Sequence, residues 1–271
     1  MNNPFKTILS NTNKKKKAQI LKYVRIVVQI IFFVIFPALF SQAFGAVKEV
    51  ITCMKDGKVL HMGEFVIAFI ILCAVTITFG RIFCGWACAF GAFGDFVFFI
   101  SSYIHKKMKK RMFKIPDKAL RIMQMFKYIV LVSVVLLCYG GKGELVTKYS
   151  PWTVFSLITV RNKMFLSYKA AIVILIFIVI GMAVKERFFC QFICPLGAIF
   201  SLLPNAFMLI FNRDNNACIK GCKACKNNCP VGIKLSENHF ADGECIGCAR
   251  CINTCPKGNI GFVRKRTNKA N

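Results

Sequence analysis

The sequence predicts a helical membrane domain of four transmembrane helices in two parallel repeats, with re-entrant or interfacial helices, followed by a small cysteine-rich α+β domain. Three observations predict it. The chain is 56% hydrophobic with a mean hydropathy of +0.56, where soluble globular chains are roughly 45–50% apolar. Its 38 Lys+Arg exceed 11 Asp+Glu, a net charge of +27, and this charge lies in loops beside apolar runs. Fifteen cysteines gather at short spacings, most of them near the C-terminus.

The four apolar runs are Tyr23–Phe44, Gly63–Phe79, Phe126–Tyr139 and Tyr168–Val184. The first is long enough to cross a ~30 Å hydrocarbon core at about 1.5 Å per residue. The others reach that length with their flanks. Basic Lys14–Lys17 precedes the first run without a small-residue cleavage site, so that run reads as a retained helix.

Loop charge orients the spans. Residues 1–25 carry seven Lys/Arg and no acid, residues 101–127 carry nine with only Asp117, and the chain from Asn212 carries eleven against four acids. The loop 46–64 is balanced. Both termini and the 101–127 loop therefore face the cytoplasm, which places the chain as a multi-pass protein of a bacterial-type cytoplasmic membrane. The same placement assigns the positive charge to the lipid bilayer surface and excludes nucleic acid as the partner. On the outer side, Pro151–Val160 with Trp152 reads equally as an interfacial segment or as an ordinary loop.

An internal repeat is legible. Arg81-Ile-Phe-Cys84-Gly-Trp-Ala-Cys88-Ala-Phe-Gly91-Ala92 matches Arg187-Phe-Phe-Cys190-Gln-Phe-Ile-Cys194-Pro-Leu-Gly197-Ala198 at an offset of 106. Leu21–Val24 matches Phe126–Ile129 at 105. Each unit is two spans followed by Cys-x3-Cys, so the units are parallel and both cysteine pairs fall on the cytoplasmic side. The short apolar stretches Phe93–Ile104 and Ile199–Phe211 read as interfacial or re-entrant. The boundaries are a basic N-terminus 1–20, a first membrane repeat 21–105, a basic loop 106–125, a second repeat 126–211, a cysteine domain 212–262 and a basic tail 263–271.

The strongest chemical signal is Cys245-x2-Cys248-x2-Cys251-x3-Cys255-Pro256, the bacterial ferredoxin run. Its partner, Cys218-x3-Cys222-x2-Cys225-x3-Cys229-Pro230, has one extra residue in its first spacing. In the crossed ligation of such runs, Cys218, Cys222, Cys225 and Cys255 hold one [4Fe–4S] cluster, and Cys245, Cys248, Cys251 and Cys229 hold the second. Four-thiolate zinc sites usually show two separated Cys-x2-Cys pairs without the Cys-Pro ending.

Cys84 with Cys88 and Cys190 with Cys194 are spaced i, i+4, which on a helix places both thiols on one face. Three chemistries fit these pairs: a further cluster or other thiophilic metal, a redox dithiol, or simple packing. Arg81 and Arg187 either offset thiolate charge or meet lipid phosphates. Asp95, in an apolar stretch, is expected to pair with Arg81 or to cap a helix. Cys53, Cys73 and Cys138 read as packing residues. His61, His105 and His239 are not paired within spans, so no haem site is seen, and no flavin or NAD motif appears.

The order of spans, paired Arg-x-Phe-Cys-x3-Cys-x2-Gly-Ala motifs and a two-cluster run resembles the NapH-type membrane ferredoxins, from about Tyr23 to Phe262. That resemblance implies a quinol dehydrogenase subunit that passes electrons between the quinone pool and a partner redox protein or reductase complex. The related membrane polyferredoxins imply the alternative, metal-cofactor maturation, copper reduction or redox sensing.

Overall fold

In the computed structural model, which describes residues 4–36, 39–56, 64–109, 115–203, 210–213, 218–219, 221–233, 243–258 and 260–263, the first apolar run is divided. Helix α1 (Pro4–Ile35) stops and α2 (Leu39–Asp56) follows. Phe36 leaves the helix immediately before Pro37 in the sequence, as expected for a residue whose α conformation is disfavoured by a following proline ring. The expected single span Tyr23–Phe44 is thus two helices.

Helix α3 (Glu64–Phe79) ends at Gly80, whose φ of +70° is the left-handed stop that glycine adopts without strain. The short α4 (Ile82–Trp86) leads into α5 (Ala89–Lys107). The stretch Phe93–Ile104, expected to be a short interfacial or re-entrant helix, lies inside this 19-residue helix.

The second half repeats the order. Helix α6 (Asp117–Tyr139) is followed by α7 (Gly143–Lys148) and α8 (Pro151–Thr159), with Pro151 in the first turn, where a missing N–H costs nothing. A 3-10 turn at Lys163–Ser167 precedes α9 (Lys169–Val184), α10 (Phe188–Phe192) and α11 (Pro195–Leu202).

The core lies between the halves and is largely aromatic. Trp152 is 5% exposed, and its ring meets Phe44 edge-on at 4.5 Å and Phe189 at 6.1 Å. Phe90 joins Phe189 at 4.5 Å to Phe155 at 4.9 Å. So α8 is a core helix, neither the interfacial segment nor the loop expected, because Trp152, Val154 and Phe155 all turn inward. Cys138 is buried in the same core and Cys73 packs against it.

The outer faces of α1, α3, α6 and α9 carry exposed Ile, Val, Leu and Phe, for example Ile30, Ile71, Ile122 and Val173. Exposed apolar surface on this scale marks contact with lipid or protein. Among the described residues, Lys118–Tyr139 is the one stretch both long and apolar enough to cross a bilayer alone, while Val66–Phe79 and Lys169–Val184 are shorter apolar helices.

After α11 the described chain is short and irregular. Strands β1 (Ile210–Arg213) and β2 (Ile260–Val263) pair antiparallel, Ile210 opposite Val263. Helices α12 (Ala224–Asn227) and α13 (Arg250–Thr254) pack on each other, and α13 also rests on α1. His61, His239 and residues 264–271 lie outside the described residues.

Candidate functional site

Neither Cys-x3-Cys pair lies on one continuous helix. Cys84 sits within α4, but α4 ends at Trp86 and Cys88 is the N-cap of α5, with φ −69° and ψ 113°. Cys190 and Cys194 repeat this around α10 and α11, where Cys194 has φ −66° and ψ 112°. In both turns the second cysteine's N–H reaches back five residues, to Phe83 O at 3.0 Å and to Phe189 O at 2.9 Å. The shared face expected from helical spacing is therefore replaced by a tight turn. The signal for it was Pro195, a residue suited to the first helical position. Ala89 fills the same position in the first repeat, so the two turns are alike with or without proline.

The capping sulfurs accept backbone hydrogen bonds, Cys88 Sγ from Gly91 N at 3.4 Å and Cys194 Sγ from Gly197 N at 3.1 Å. All four cysteines are buried in one cluster. Burial pushes the Cys88 thiol well above its usual value, with Cys190 and Cys84 adding to the effect. Cys194 is raised by burial, then by Cys190 and Cys84. Cys88 and Cys194 both feel Cys190 and Cys84, so the two repeats bring the four cysteines together.

The arginines of the two motifs cross over. Arg187 reaches into the first motif, where its Nη1 donates to Cys84 O and its Nη2 to Gly85 O at 3.3 Å. Arg25 Nε and Gln29 Nε2 donate to the same Gly85 oxygen at 3.0 and 3.2 Å. These bonds satisfy carbonyls that a five-residue helix leaves free. A Cβ on Gly91 would overlap the Arg187 guanidinium, and one on Gly197 would lie 3.0 Å from Arg81 Nη2. The Gly of each motif thus makes room for the Arg of the other. Arg187 holds a left-handed φ of 59°, unusual for a non-glycine residue.

Asp95 does not pair with Arg81. It takes Arg187 Nε at 2.7 Å, Arg25 Nη2 at 2.6 Å and Gln29 Nε2 at 3.0 Å. Arg81 instead binds Glu244 at 2.9 Å, and Lys127 binds the same carboxylate. Both motif arginines are at most 2% exposed, so they do not meet lipid headgroups. Each carboxylate faces two cations, which leaves one positive charge in excess on each side of the thiols.

The second ferredoxin-run set lies directly on these turns. Trp86 Nε1 donates to Gly247 O at 2.9 Å, and Gln191 Nε2 to Pro230 O at 2.8 Å. One turn thus touches the Cys245–Cys248 loop and the other the Cys229-Pro230 loop. Cys229, Cys245, Cys248 and Cys251 lie near one another. Burial raises Cys245 to about 12, with Cys248 and Cys229 adding, and burial then Cys248, Cys245 and Cys229 raise Cys251. Backbone N–H groups of Val231, Gly232 and Ile233 serve the Cys229 sulfur.

The first set is drawn together in part. Cys225 and Cys255 pack with Cys245 and Cys251 around Ala249 and Ile260. The extra residue of Cys218-x3-Cys222 is taken up in a turn, with Cys222 N bonded to Ile219 O at 3.1 Å and Gly221 at φ +77°. Gly221→Ala is expected to cost about 1 kcal/mol through that φ, read as a lower melting temperature and lower iron content.

The donor set fits iron–sulfur clusters. The sulfurs accept backbone N–H bonds of the kind that tune such clusters. The fully buried Arg81 Nε has no hydrogen-bond acceptor among the described residues and belongs to a guanidinium that feels Cys84, Cys194 and Cys190. An all-thiolate cluster is a net anion, and the flanking cations are in excess. Among the described residues, no three His, Cys, Asp or Glu side chains converge as ligands of a single metal ion. A cubane would ask for one thiolate per iron and so would not require three donors at one point.

Comparison with known proteins falls on the same residues. The profile described as a 4Fe-4S binding domain matches residues 62–111 and 169–209, the segments that hold the two Cys-x3-Cys turns. An uncharacterized protein of Methanocaldococcus jannaschii is 30% identical over 257 residues, 92% of this chain and 89% of that one. Protein NirI of Paracoccus denitrificans is 26% identical, over 66% of this chain and 26% of its own length. The methylamine utilization ferredoxin-type protein MauN of Methylobacillus flagellatus is 23% identical, over 56% and 48%. No solved structure matches.

Proposed function

The chain belongs to an iron–sulfur ferredoxin-type family, and from that premise we propose that it is a membrane-anchored electron carrier working between the quinone pool and a partner redox protein. The observation that carries this reading is the continuity of the cysteines. Both Cys-x3-Cys turns are hydrogen-bonded to the loops that hold Cys229 and Cys245–Cys248.

On this reading Cys245, Cys248, Cys251 and Cys229 hold one [4Fe–4S] cluster in a ferredoxin-like tail, and Cys218, Cys222, Cys225 and Cys255 hold another. Cys84, Cys88, Cys190 and Cys194 hold a third cluster between the repeats. Such clusters supply one-electron transfer with little rearrangement. The chain's own residues do the rest. Arg81 and Arg187 balance negative charge at the buried sulfurs, and the aromatic core keeps water from them. Trp86 and Gln191 hold the tail against the turns. Four spans, built on α1, α3, α6 and α9, place the exposed apolar faces in lipid, with the basic segments on the cytoplasmic side.

Two measurements test this. Anaerobically purified protein is expected to hold about twelve iron atoms per chain, falling to about eight in Cys84→Ser/Cys190→Ser; unchanged iron in that variant removes the third cluster. A water-soluble quinol analogue is expected to produce the reduced-cluster EPR signal. A protein that neither this quinol reduces nor the matching quinone re-oxidises does not exchange electrons with the quinone pool.

A further inference from the structure

Asp95 and Glu244 hold matching places in the two repeats although they come from unrelated parts of the chain. The offset of 106 that carries Arg81 onto Arg187 carries Asp95 onto Ser201. The second repeat therefore has no carboxylate of its own at this position. In the first repeat, Asp95 sits between Arg187, from the other motif, and Arg25, from α1. In the second, Glu244 sits between Arg81, from the other motif, and Lys127, from α6. Tyr128 Oη bridges the two candidates for the role, 3.1 Å from Ser201 Oγ and 3.4 Å from Glu244 Oε1. The tail backbone comes close here as well, since a Cβ on Gly243 would lie 2.8 Å from Ser201 O.

We propose that Glu244 is the missing carboxylate of the second repeat, supplied by the tail, and that it makes the tail a fixed part of the membrane unit instead of a tethered mobile domain. Arg81 and Lys127 are 2% and 0% exposed. With the tail docked but Glu244 neutralised, both are buried cations without a counter-charge, so the carboxylate is what favours the docked state. Arg250 to Glu186, at 2.5 Å, is a second strap from the tail to the residue before Arg187. Glu244 acts as a positioning residue through Arg81 and Lys127. The inference goes beyond the electron-transfer reading and concerns how the tail is held, whatever the cysteines bind.

The test is hydrogen–deuterium exchange, read by mass spectrometry, on the full-length protein in nanodiscs. Glu244→Gln is expected to raise exchange at least about ten-fold in peptides covering 243–257, with peptides covering 64–79 unchanged. Adding Ser201→Asp, which restores a carboxylate at the place matching Asp95, is expected to bring the second repeat's charge back and recover protection to within about two-fold of wild type. Protection that is unchanged in Glu244→Gln, or that Ser201→Asp does not recover, overturns the proposal. If Glu244→Gln does not accumulate in the membrane, accumulation becomes the readout: recovery in the double variant supports the proposal and its absence overturns it.

Discussion

Asp95→Leu is expected to destabilise the helical half by about 3–5 kcal/mol, the range for removing one partner from a buried ion pair. Its carboxylate is the meeting point of Arg187, Arg25 and Gln29. Leucine leaves two buried guanidiniums with the Gly85 and Cys84 carbonyls as their remaining acceptors among the described residues. Arg25→Met in the same background removes one of the stranded cations, so the double variant is expected to lose less than the two single losses added together. Thermal unfolding in detergent, followed by tryptophan fluorescence, measures this. An Asp95→Leu protein that melts within about 1 kcal/mol of wild type denies Asp95 its place as counter-charge.

Gly85→Ala is expected to cost about 3 kcal/mol, at the upper end of overpacking, and to loosen the tail from the first motif. An added Cβ overlaps the backbone oxygen of Ile246 and lies 3.7 Å from Cys248 N. Backbone gives way less readily than a side chain, so the relief is a shift of the Cys245–Cys248 loop, which strains the Trp86 to Gly247 bond. Gly94→Ala is the control. The nearest atoms its added Cβ meets belong to the flexible Met182 side chain, at 3.4 Å, and a change within about 0.5 kcal/mol is expected. Melting temperature and the exchange of peptides covering 243–257 separate the two variants. Equal behaviour of both would falsify the close approach at Gly85.

The iron–sulfur character of the chain was legible from cysteine spacing, because cluster ligation imposes short, nearly fixed intervals on the chain. The partner run has one extra residue in its first spacing, and Gly221 in a left-handed turn explains how that residue is absorbed. The repeat was legible too, since Arg, Phe, Cys, Cys and Gly recur at one offset. Helix ends were less so. Hydropathy measures apolar content over a window, and it does not register that Phe36 before Pro37 must leave the helix, or that Cys88 starts a new one. Trp152 was misplaced for a related reason: an aromatic residue after a basic loop suits a membrane interface and a protein core equally, and only its neighbours distinguish them.

By itself, the sequence determined the apolar runs, the two-fold repetition of the Cys-x3-Cys motif and the spacing of the two cysteine runs in the tail, because each is a local pattern written in consecutive residues. Only the tertiary structure decided which charges meet. Asp95 is 14 residues from Arg81 yet pairs with Arg187, 92 residues away, and Arg81 finds Glu244 at a separation of 163. The four-helix expectation concerned local apolar length; this crossing of partners concerns where desolvated charges find compensation. A buried ion must take the opposite charge that the packed chain brings to it, and sequence proximity has no bearing on that choice.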